Sequence, residues 1–477
     1  METAWNILTG FFEYGILLYC LGVMSSYLVI GVVSAREILR YQREDSLSNL
    51  NHLLASPLAP SISIIAPAYN ESMTIVDNIR SLLSLHYDNL TVIVVNDGSK
   101  DDTLAKAIAS YDLELMDFFY DEQVSTKKVR GVYRSKNSAF RKLIFVDKEN
   151  GGKADAINVG INVADSTYFA CIDVDCIIEQ DAFLKMAKPV MQGGEERIVA
   201  VGGIVWLTND SEITNGKLIQ VKTPKTAVPK FQVLEYFRAF LLGRTAWSKF
   251  NGLLLISGAF GLFDRDLVIE VGGYNHNTVG EDMELVMRMH ARMRETGEPY
   301  KIEYIPDPLC WTEAPADYNI LSRQRNRWTR GTIECLTIHK KMLFNRKFGV
   351  LGMVSYPYWL LAEWAAPFVE AGGLIFFFWA AFMGMVNWPF FFALLVLVYV
   401  FALTISFFAI LVQELTCGLY TTYSDILQLM KTAIIEPFVY HPRTVSWSLR
   451  GNYDFFTGAN KGWGEMTRAG FSQPKDT

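Results

Sequence analysis

The sequence predicts a doubly wound, Rossmann-like α/β core with transmembrane α-helices on either side of it. Three observations carry that prediction: short β-branched runs that end in turn and acidic residues, helically spaced segments between them, and long stretches near both ends without a formal charge. Hydrophobic residues make up 51% of the 477, yet the charged residues gather in the middle. This uneven composition sets the chain apart from an ordinary soluble enzyme and predicts a membrane-embedded part. The formal net charge is −6, and no nucleic-acid partner is expected.

Tyr14 to Val33 is a run of 20 uncharged residues, enough at about 1.5 Å per residue to cross a hydrocarbon layer of roughly 30 Å. It lacks a basic leader and a small-residue cleavage site, and Arg36, Arg40 and Arg43 follow it. It therefore reads as a retained anchor over 1–45 with the polar middle on the cytoplasmic side.

Within 46–345, "SISIIAPAYNES" and "LTVIVVNDGSKDDT" read as buried parallel strands. "MTIVDNIRSLLSL" lies between them with Ile75, Ile79, Leu82, Leu83 and Leu85 at helical spacing, and "KADAINVGINVA" repeats the pattern after "KLIFVDKENGG". In such sheets ligands gather at the carboxyl ends of the strands, where Asn70, Glu71, Asp97 and Lys153 fall. "YFACIDVDCII" ends another apolar strand, and Asp173 and Asp175 point the same way if the backbone stays extended.

The segment 112–145 is longer than a strand connection requires, and its Lys127, Lys128, Arg130, Arg134, Lys136, Arg141 and Lys142 read as a solvated edge or as an approach to anionic lipid or a partner. The six cysteines are scattered without a CxxC pair, which predicts reduced, structural thiols.

No lysine or arginine occurs from Gly349 to Gln413. After interfacial helices over 346–370, "LIFFFWAAFMGMV" and "FFFALLVLVYVFALTISFFAILV" predict a helical hairpin within a transmembrane region of 371–442. Glu363 and Glu370, seven apart, are expected on one helix face, turned toward protein or a polar path. "ILQLMKTAIIEPFVYH" is either a span or an in-plane piece, and 443–477 reads as a basic cytosolic tail with Arg443, Arg450, Lys461 and Arg468.

Three constellations carry chemistry. A pair of carboxylates at a strand end either caps the next helix or ligates a hard divalent cation, Mg2+ or Mn2+, whose shell substrate phosphates complete. Glu281 and Asp282 open a helical segment after the small-residue loop around Ser257 to Gly261. They are either N-terminal caps or the site of a general base that takes a proton from a sugar hydroxyl. "SRQRNRWTRGT" gathers Arg323, Arg325, Arg327 and Arg330 beside Trp328. Guanidinium groups pair with phosphate oxygens and an indole stacks on a sugar ring, although arginines beside a bilayer also arise from topology alone, as is expected for some of Arg323, Arg325 and Arg330.

"PAYNE", "VVNDGS", "GGKADA", "DVD", "GED" and "QRNRW" stand in the order and spacing of the membrane-integrated, inverting family 2 glycosyltransferases. The chain resembles the poly-N-acetylglucosamine synthases over about residues 60–345, with cellulose and hyaluronan synthases as more distant relatives. The resemblance implies a GT-A-type domain in an integral protein of a bacterial plasma or inner membrane. It also implies a UDP-sugar donor, a growing glycan acceptor, the lipid bilayer as surroundings and an export partner protein.

By the same resemblance Tyr69, Glu71 and Asp97 hold the uridine, Lys153 and Asp173 contact the nucleotide, and Asp175 ligates the metal. Asp282, with Glu281 beside it, is the base, and Gln324 and Arg327 sit at the diphosphate. Trp328 lies under the acceptor sugar, while Ser257, Gly258 and Ala259 form the loop that touches it. The expected activity is processive β-transfer from UDP-N-acetylglucosamine or UDP-glucose. A single transfer to a membrane lipid, or a silent scaffold role in an export complex, is the competing expectation. Cellulose synthases carry more membrane segments and a C-terminal regulatory domain, which the sequence lacks.

Overall fold

The computed structural model describes residues 2–46, 56, 59–173, 176–214, 217–420 and 422–458. They form two compact units. A sheet unit is built from Arg43–Lys222 and Phe250–Ala314, and a helical unit takes Met1–Gln42, Thr223–Lys249 and the chain from Pro315 on. The division differs from the single 46–345 domain that the motifs suggested, because 223–249 and 315–345 pack with the apolar helices.

In the sheet unit the strands are β1 Ile62–Ala68, β2 Leu90–Asp97, β3 Leu113–Met116, β4 Val129–Ser135, β5 Leu143–Lys148, β6 Tyr168–Ile172, β7 Ile177–Ile178, β8 Arg197–Leu207, β9 Glu212–Thr214, β10 Lys217–Gln220, β11 Phe260–Asp264 and β12 Tyr300–Thr312. Ten of them form one sheet in the order β3-β4-β5-β2-β1-β6-β11-β8-β12-β7, and β9 and β10 make a separate hairpin.

β5, β2, β1 and β6 are parallel, and their near-continuous apolar runs are buried as strands covered on both faces must be. The chain moves outward from β1 to β2 and β5, then returns to place β6 on the other side of β1. That reversal opens a crevice at the carboxyl ends of β1 and β6, the usual place for a ligand in an open α/β sheet.

The Ile75–Leu83 helix buries Ile75, Ile79 and Leu82 as their spacing predicts. The Lys153–Val163 helix follows "GGK" and lies so close to β1 that a Cβ at Gly160 would stand 2.3 Å from Cγ2 of Ile65.

The expected doubly wound core covers β1 to β6, but the whole sheet is mixed. β11 runs antiparallel between β6 and β8, which a buried apolar run does not reveal because its composition carries no direction. The long basic segment forms β3 and β4, an antiparallel extension of the β5 edge. Arg130 pairs with Asp147 at 2.8 Å, Lys136 with Glu114 at 3.3 Å, and Arg134 lies over the Phe118 ring.

The helical unit holds two helices long and apolar enough to cross a membrane, Phe12–Glu44 within the Glu2–Ser46 helix, and Trp388–Thr416. A third span is possible by length if Leu351–Trp364 and Ala366–Phe382, bent by 41°, act as one. Phe377 stacks on Phe391 with centroids 4.2 Å apart, joining the two arms of the expected hairpin.

The break corrects one expectation. Glu363 lies in a π-helical segment that ends at Trp364 and Glu370 lies beyond Pro367 in the next helix, so the seven-residue spacing crosses a break and does not run along one regular helix. Both are nevertheless engaged by protein, Glu363 by the Tyr358 hydroxyl at 3.0 Å and Glu370 by His441 at 2.7 Å.

The ambiguous 426–441 segment is the Tyr423–Val439 helix, which does not meet the length and hydropathy of a span. Arg443 and Arg450, read as part of a tail, belong to the His441–Thr457 helix. That helix packs on the Tyr318–Ile338 helix, where Asp454 accepts from Asn326 at 2.8 Å. Lys461 and Arg468 lie outside the described residues.

The contact at Gly160 yields a test. Valine there overpacks the helix against Ile65 at a cost of about 1–3 kcal/mol, more than the few tenths it gains over glycine in helix propensity. The Gly160→Val variant should melt several degrees lower in a thermal scan, and an unchanged melting temperature would mean that β1 and this helix can separate freely.

Candidate active site

β6 and β11 set the geometry of the site in the sheet unit. They are antiparallel neighbours with Phe260 opposite Ile172, so residues just before β11 meet those just after β6. Ser257, Gly258 and Ala259 therefore lie beside Asp173, whose amide donates to the Ala259 carbonyl at 3.3 Å.

Lys153, the first residue of its helix, sends its ammonium across to the Asp173 carboxylate and to the Gly258 carbonyl, the latter at 3.0 Å. The Gly258 amide in turn donates to Oδ2 of Asp282 at 3.1 Å, while Oδ1 of Asp282 accepts from the Met283 amide at 2.8 Å. Three segments far apart in sequence thus converge on one loop.

The electrostatics follow from that packing. Burial would lower the Lys153 ammonium, but Asp173, Cys171 and Glu281 outweigh it and raise the group above its ordinary value, so it stays charged. Cys171 points its thiol at the Gly258 carbonyl and is pushed up to about 12, by burial first. It is a protonated, structural thiol, and the other buried cysteines, Cys176, Cys310 and Cys335, are likewise free of disulfides. Glu281 is buried at the helix start. Asp282 is partly exposed there, and with two backbone donors on its oxygens it retains free lone pairs for a third.

Asp97, expected at the uridine, is bonded to the loop before Lys153. It is 4% exposed, and each of its oxygens already accepts two donors. Oδ1 takes the Lys148 ammonium at 2.5 Å and the Gly151 amide at 2.9 Å, and Oδ2 takes the Gly152 amide at 2.8 Å and the Asn150 side chain at 3.2 Å. Its acceptor capacity is spent on the loop before Lys153 rather than on a base edge.

Lys148, fully buried, also pairs with Asp155 at 2.7 Å. Sequence reasoning missed Lys148. The available signal was a lysine closing an otherwise apolar strand, opposite Asp97 in the β2–β5 register.

Tyr69 and Glu71 follow β1. Tyr69 is 44% exposed, and Asn70 between them has φ of 56°. The Asn70 amide donates to the Ser99 hydroxyl at 2.9 Å and the Glu71 amide to Thr103 at 2.9 Å, tying this turn to the end of β2.

Asp175 lies outside the described residues. β6 ends at Ile172, and the Cys176 amide donates to the Asp173 carbonyl at 3.0 Å. Among the described residues no group of three histidine, cysteine or carboxylate side chains could hold a metal ion. Asp173 offers the hard oxygen that magnesium and manganese prefer, shared with the Lys153 ammonium. This donor set suits a cation completed by phosphate oxygens, not an all-protein cage.

In the helical unit, Asp317 caps the Tyr318–Ile338 helix by accepting from the Asn319 amide at 2.7 Å, and the helix carries Gln324, Arg327 and Trp328. Trp328 is 40% exposed, with the Arg325 guanidinium 4.0 Å from its ring centre. Oε1 of Gln324 is buried without a donor.

Arg325 and Arg330, read as candidates for simple bilayer topology, are each 5% exposed, and only Arg323 of those three is exposed. Arg325 instead pairs with Glu235 at 2.8 Å, and Glu235 accepts from the Tyr440 hydroxyl at 2.8 Å. Burial would lower the Arg325 guanidinium, but Glu235 holds it above its ordinary value. No signal in the sequence links Glu235 to a helix that starts more than eighty residues later.

Comparison with known proteins matches two family models, glycosyl transferase family 2 over residues 63–271 and glycosyl transferase family group 2 over residues 223–407. The chain is 30% identical over 329 residues to the poly-beta-1,6-N-acetyl-D-glucosamine synthase of Staphylococcus aureus (strain COL), a match covering 68% of this chain and 66% of that protein, just under two thirds of the relative's length. It is 31% identical over 276 residues to the synthase of the same name from Staphylococcus epidermidis, covering 58% of this chain and 55% of that one. Among solved structures, a mannosyltransferase from Pyrobaculum calidifontis in complex with GDP-Man and Mn2+ aligns at a TM-score of 0.47 and 14% identity, over 93% of this chain and 100% of that one. The two family matches together run from residue 63 to residue 407, and the chain is similar in sequence to glycosyl transferases of family 2 and of family group 2.

Proposed function

We propose that this protein is a processive, inverting β-glycosyltransferase of a membrane, elongating a linear glycan from a UDP-sugar at the cytoplasmic face. UDP-N-acetylglucosamine is the first candidate donor and UDP-glucose the second. The observation that carries the reading is the convergence of Lys153, Asp173 and Asp282 on the Gly258 loop. The 30% identity to synthases named for poly-N-acetylglucosamine supports the donor and the polymer, and the two apolar helices support the membrane.

The transfer is a single in-line displacement. The Asp282 carboxylate takes the proton of the acceptor hydroxyl, and the oxygen attacks the anomeric carbon from the face opposite the nucleotide. The bond to the diphosphate breaks with its electron pair, so UDP departs and the new linkage is β.

Ser257, Gly258 and Ala259 border the acceptor. Lys153 with Asp173, and the Tyr69–Glu71 turn, border the nucleotide, while Asp97 shapes the loop before Lys153. Gln324 and Arg327 offer donors for the diphosphate and Trp328 a flat face for the acceptor sugar. A divalent cation held by Asp175 and by donor phosphates supplies positive charge against the departing diphosphate when bound.

Purified protein given labelled UDP-sugars should yield a ladder of polymer with one donor of the panel, whereas a single chloroform-soluble product would assign it to glycolipid synthesis instead. Asp282→Asn should lower turnover by roughly 10²–10⁴-fold while UDP binding, read by calorimetry, changes little. Residual activity near the wild-type level would remove Asp282 from the chemistry. Chelation should stop transfer until Mg2+ or Mn2+ is returned, and polymer made at full speed without a cation would contradict the metal.

A further inference from the structure

We propose that Glu235 is a positioning residue for Trp328, acting through Arg325 to fix the angle at which the indole is offered to a sugar. The inference rests on the acceptor role given to Trp328 above. Glu235 lies on the Ala227–Tyr236 helix, which packs against the Tyr318–Ile338 helix through Val228, Phe231, Leu321 and Tyr440. Within this one unit the Glu235 carboxylate holds Nη2 of Arg325 at 2.8 Å, and the guanidinium carbon of Arg325 lies over the Trp328 ring, 4.0 Å from its centre.

The support is narrow. Nε and Nη1 of Arg325 are buried without an acceptor, so Glu235 and, at a longer 3.4 Å, the Tyr440 hydroxyl are what fix the group. A guanidinium stacked on an aromatic face keeps its charge against the ring quadrupole, and its in-plane donors must then find partners around the rim. Here the Glu235 carboxylate takes Nη2, with the Tyr440 hydroxyl as the second, longer partner.

Glu235 is not drawn away by the other arginine of its own helical run. Arg238 is taken by Glu436 and by the Ser406 hydroxyl at 2.8 Å. Tyr440, stacked on Phe231 at 5.1 Å, steadies the carboxylate in turn by donating to it.

Loss of the carboxylate leaves a buried guanidinium that must turn away from the indole to find an acceptor. The ring then loses the backing that holds its tilt, while donor chemistry that needs no acceptor sugar is untouched. A pair that merely glued two helices together would weaken every activity alike.

Full-length Glu235→Gln in detergent should lose roughly ten- to hundredfold in transfer to glycan, the order expected when a reacting group is displaced by about an ångström, while hydrolysis of the donor by water persists. In a Trp328→Ala background the same substitution should cost less than about twofold, because both act through one ring. Equal losses in transfer and hydrolysis, or an undiminished loss without the tryptophan, overturn the inference. Tyr440→Phe removes one hydroxyl and keeps the ring stack, so it gives a milder loss in the same direction if Glu235→Gln does not fold.

A readout independent of activity separates this inference from the proposed function. In protein labelled with 5-fluorotryptophan, the fluorine line that disappears in Trp328→Phe should shift or broaden in Glu235→Gln and Tyr440→Phe. A line unmoved in both defeats the positioning role even if the enzyme polymerises sugar. A shifted line in a protein that transfers no sugar defeats the proposed function alone.

Discussion

The Lys153 ammonium ties the start of a helix to the point where the pairing of β6 with β11 has already brought the end of one strand to the approach of the other. Asp173, Asp282 and Glu281 are carboxylates gathered about one loop, and like charges in a partly buried space repel unless a cation lies among them. A lysine at a helix N-terminus gains nothing from the helix dipole, which favours anions there. Its place is explained by the loop. The ammonium neutralises Asp173 and, by bonding the Gly258 carbonyl, orients the peptide whose neighbouring amide holds Asp282.

Beneath it, a second buried cation shapes the approach. Lys148 between Asp97 and Asp155 fixes the turn whose Gly152 has φ of 88°, a conformation that disfavours side chains. Gly98, at φ of 66°, lets the Asn150 backbone come so near that a Cβ would stand 2.7 Å from its nitrogen. The glycine of "NDGS" is therefore required by the close approach of two loops, each at the end of a parallel strand, whereas the second glycine of "ENGGK" is favoured by its positive φ. Asp97 spends its lone pairs on this frame, and the frame presents Lys153.

What the sequence disclosed follows from which forces are local. The β-branched runs of β1, β2, β5 and β6 and the helical spacing of Ile75, Ile79 and Leu82 were legible because burial of both strand faces, or of one helix stripe, is written in neighbouring residues. The direction of β11 and the burial of Arg325 were not, since each is decided by a partner distant along the chain. Lys153, Asp173 and Asp282 were legible as motif members, but the loop contacts that unite them were not. Glu235 and Lys148 had no motif to announce them. A carboxylate or ammonium that works by pairing leaves no pattern except in three dimensions.

The helical unit applies the same economy in apolar surroundings. Removing a charge from water costs several kcal/mol, and a close opposite charge with further hydrogen bonds is needed to offset it. Arg238 with Glu436 and Arg325 with Glu235 meet that condition at the packing of three helices. Arginine rather than lysine suits position 325 because a planar group can lie flat on an indole and still bond a carboxylate at its edge, whereas a compact ammonium would do one or the other. Trp328 is thereby a partly exposed indole with a fixed charge over its ring. A sugar ring, apolar on its C–H face and polar at its rim, is matched by that combination of a flat surface and nearby donors.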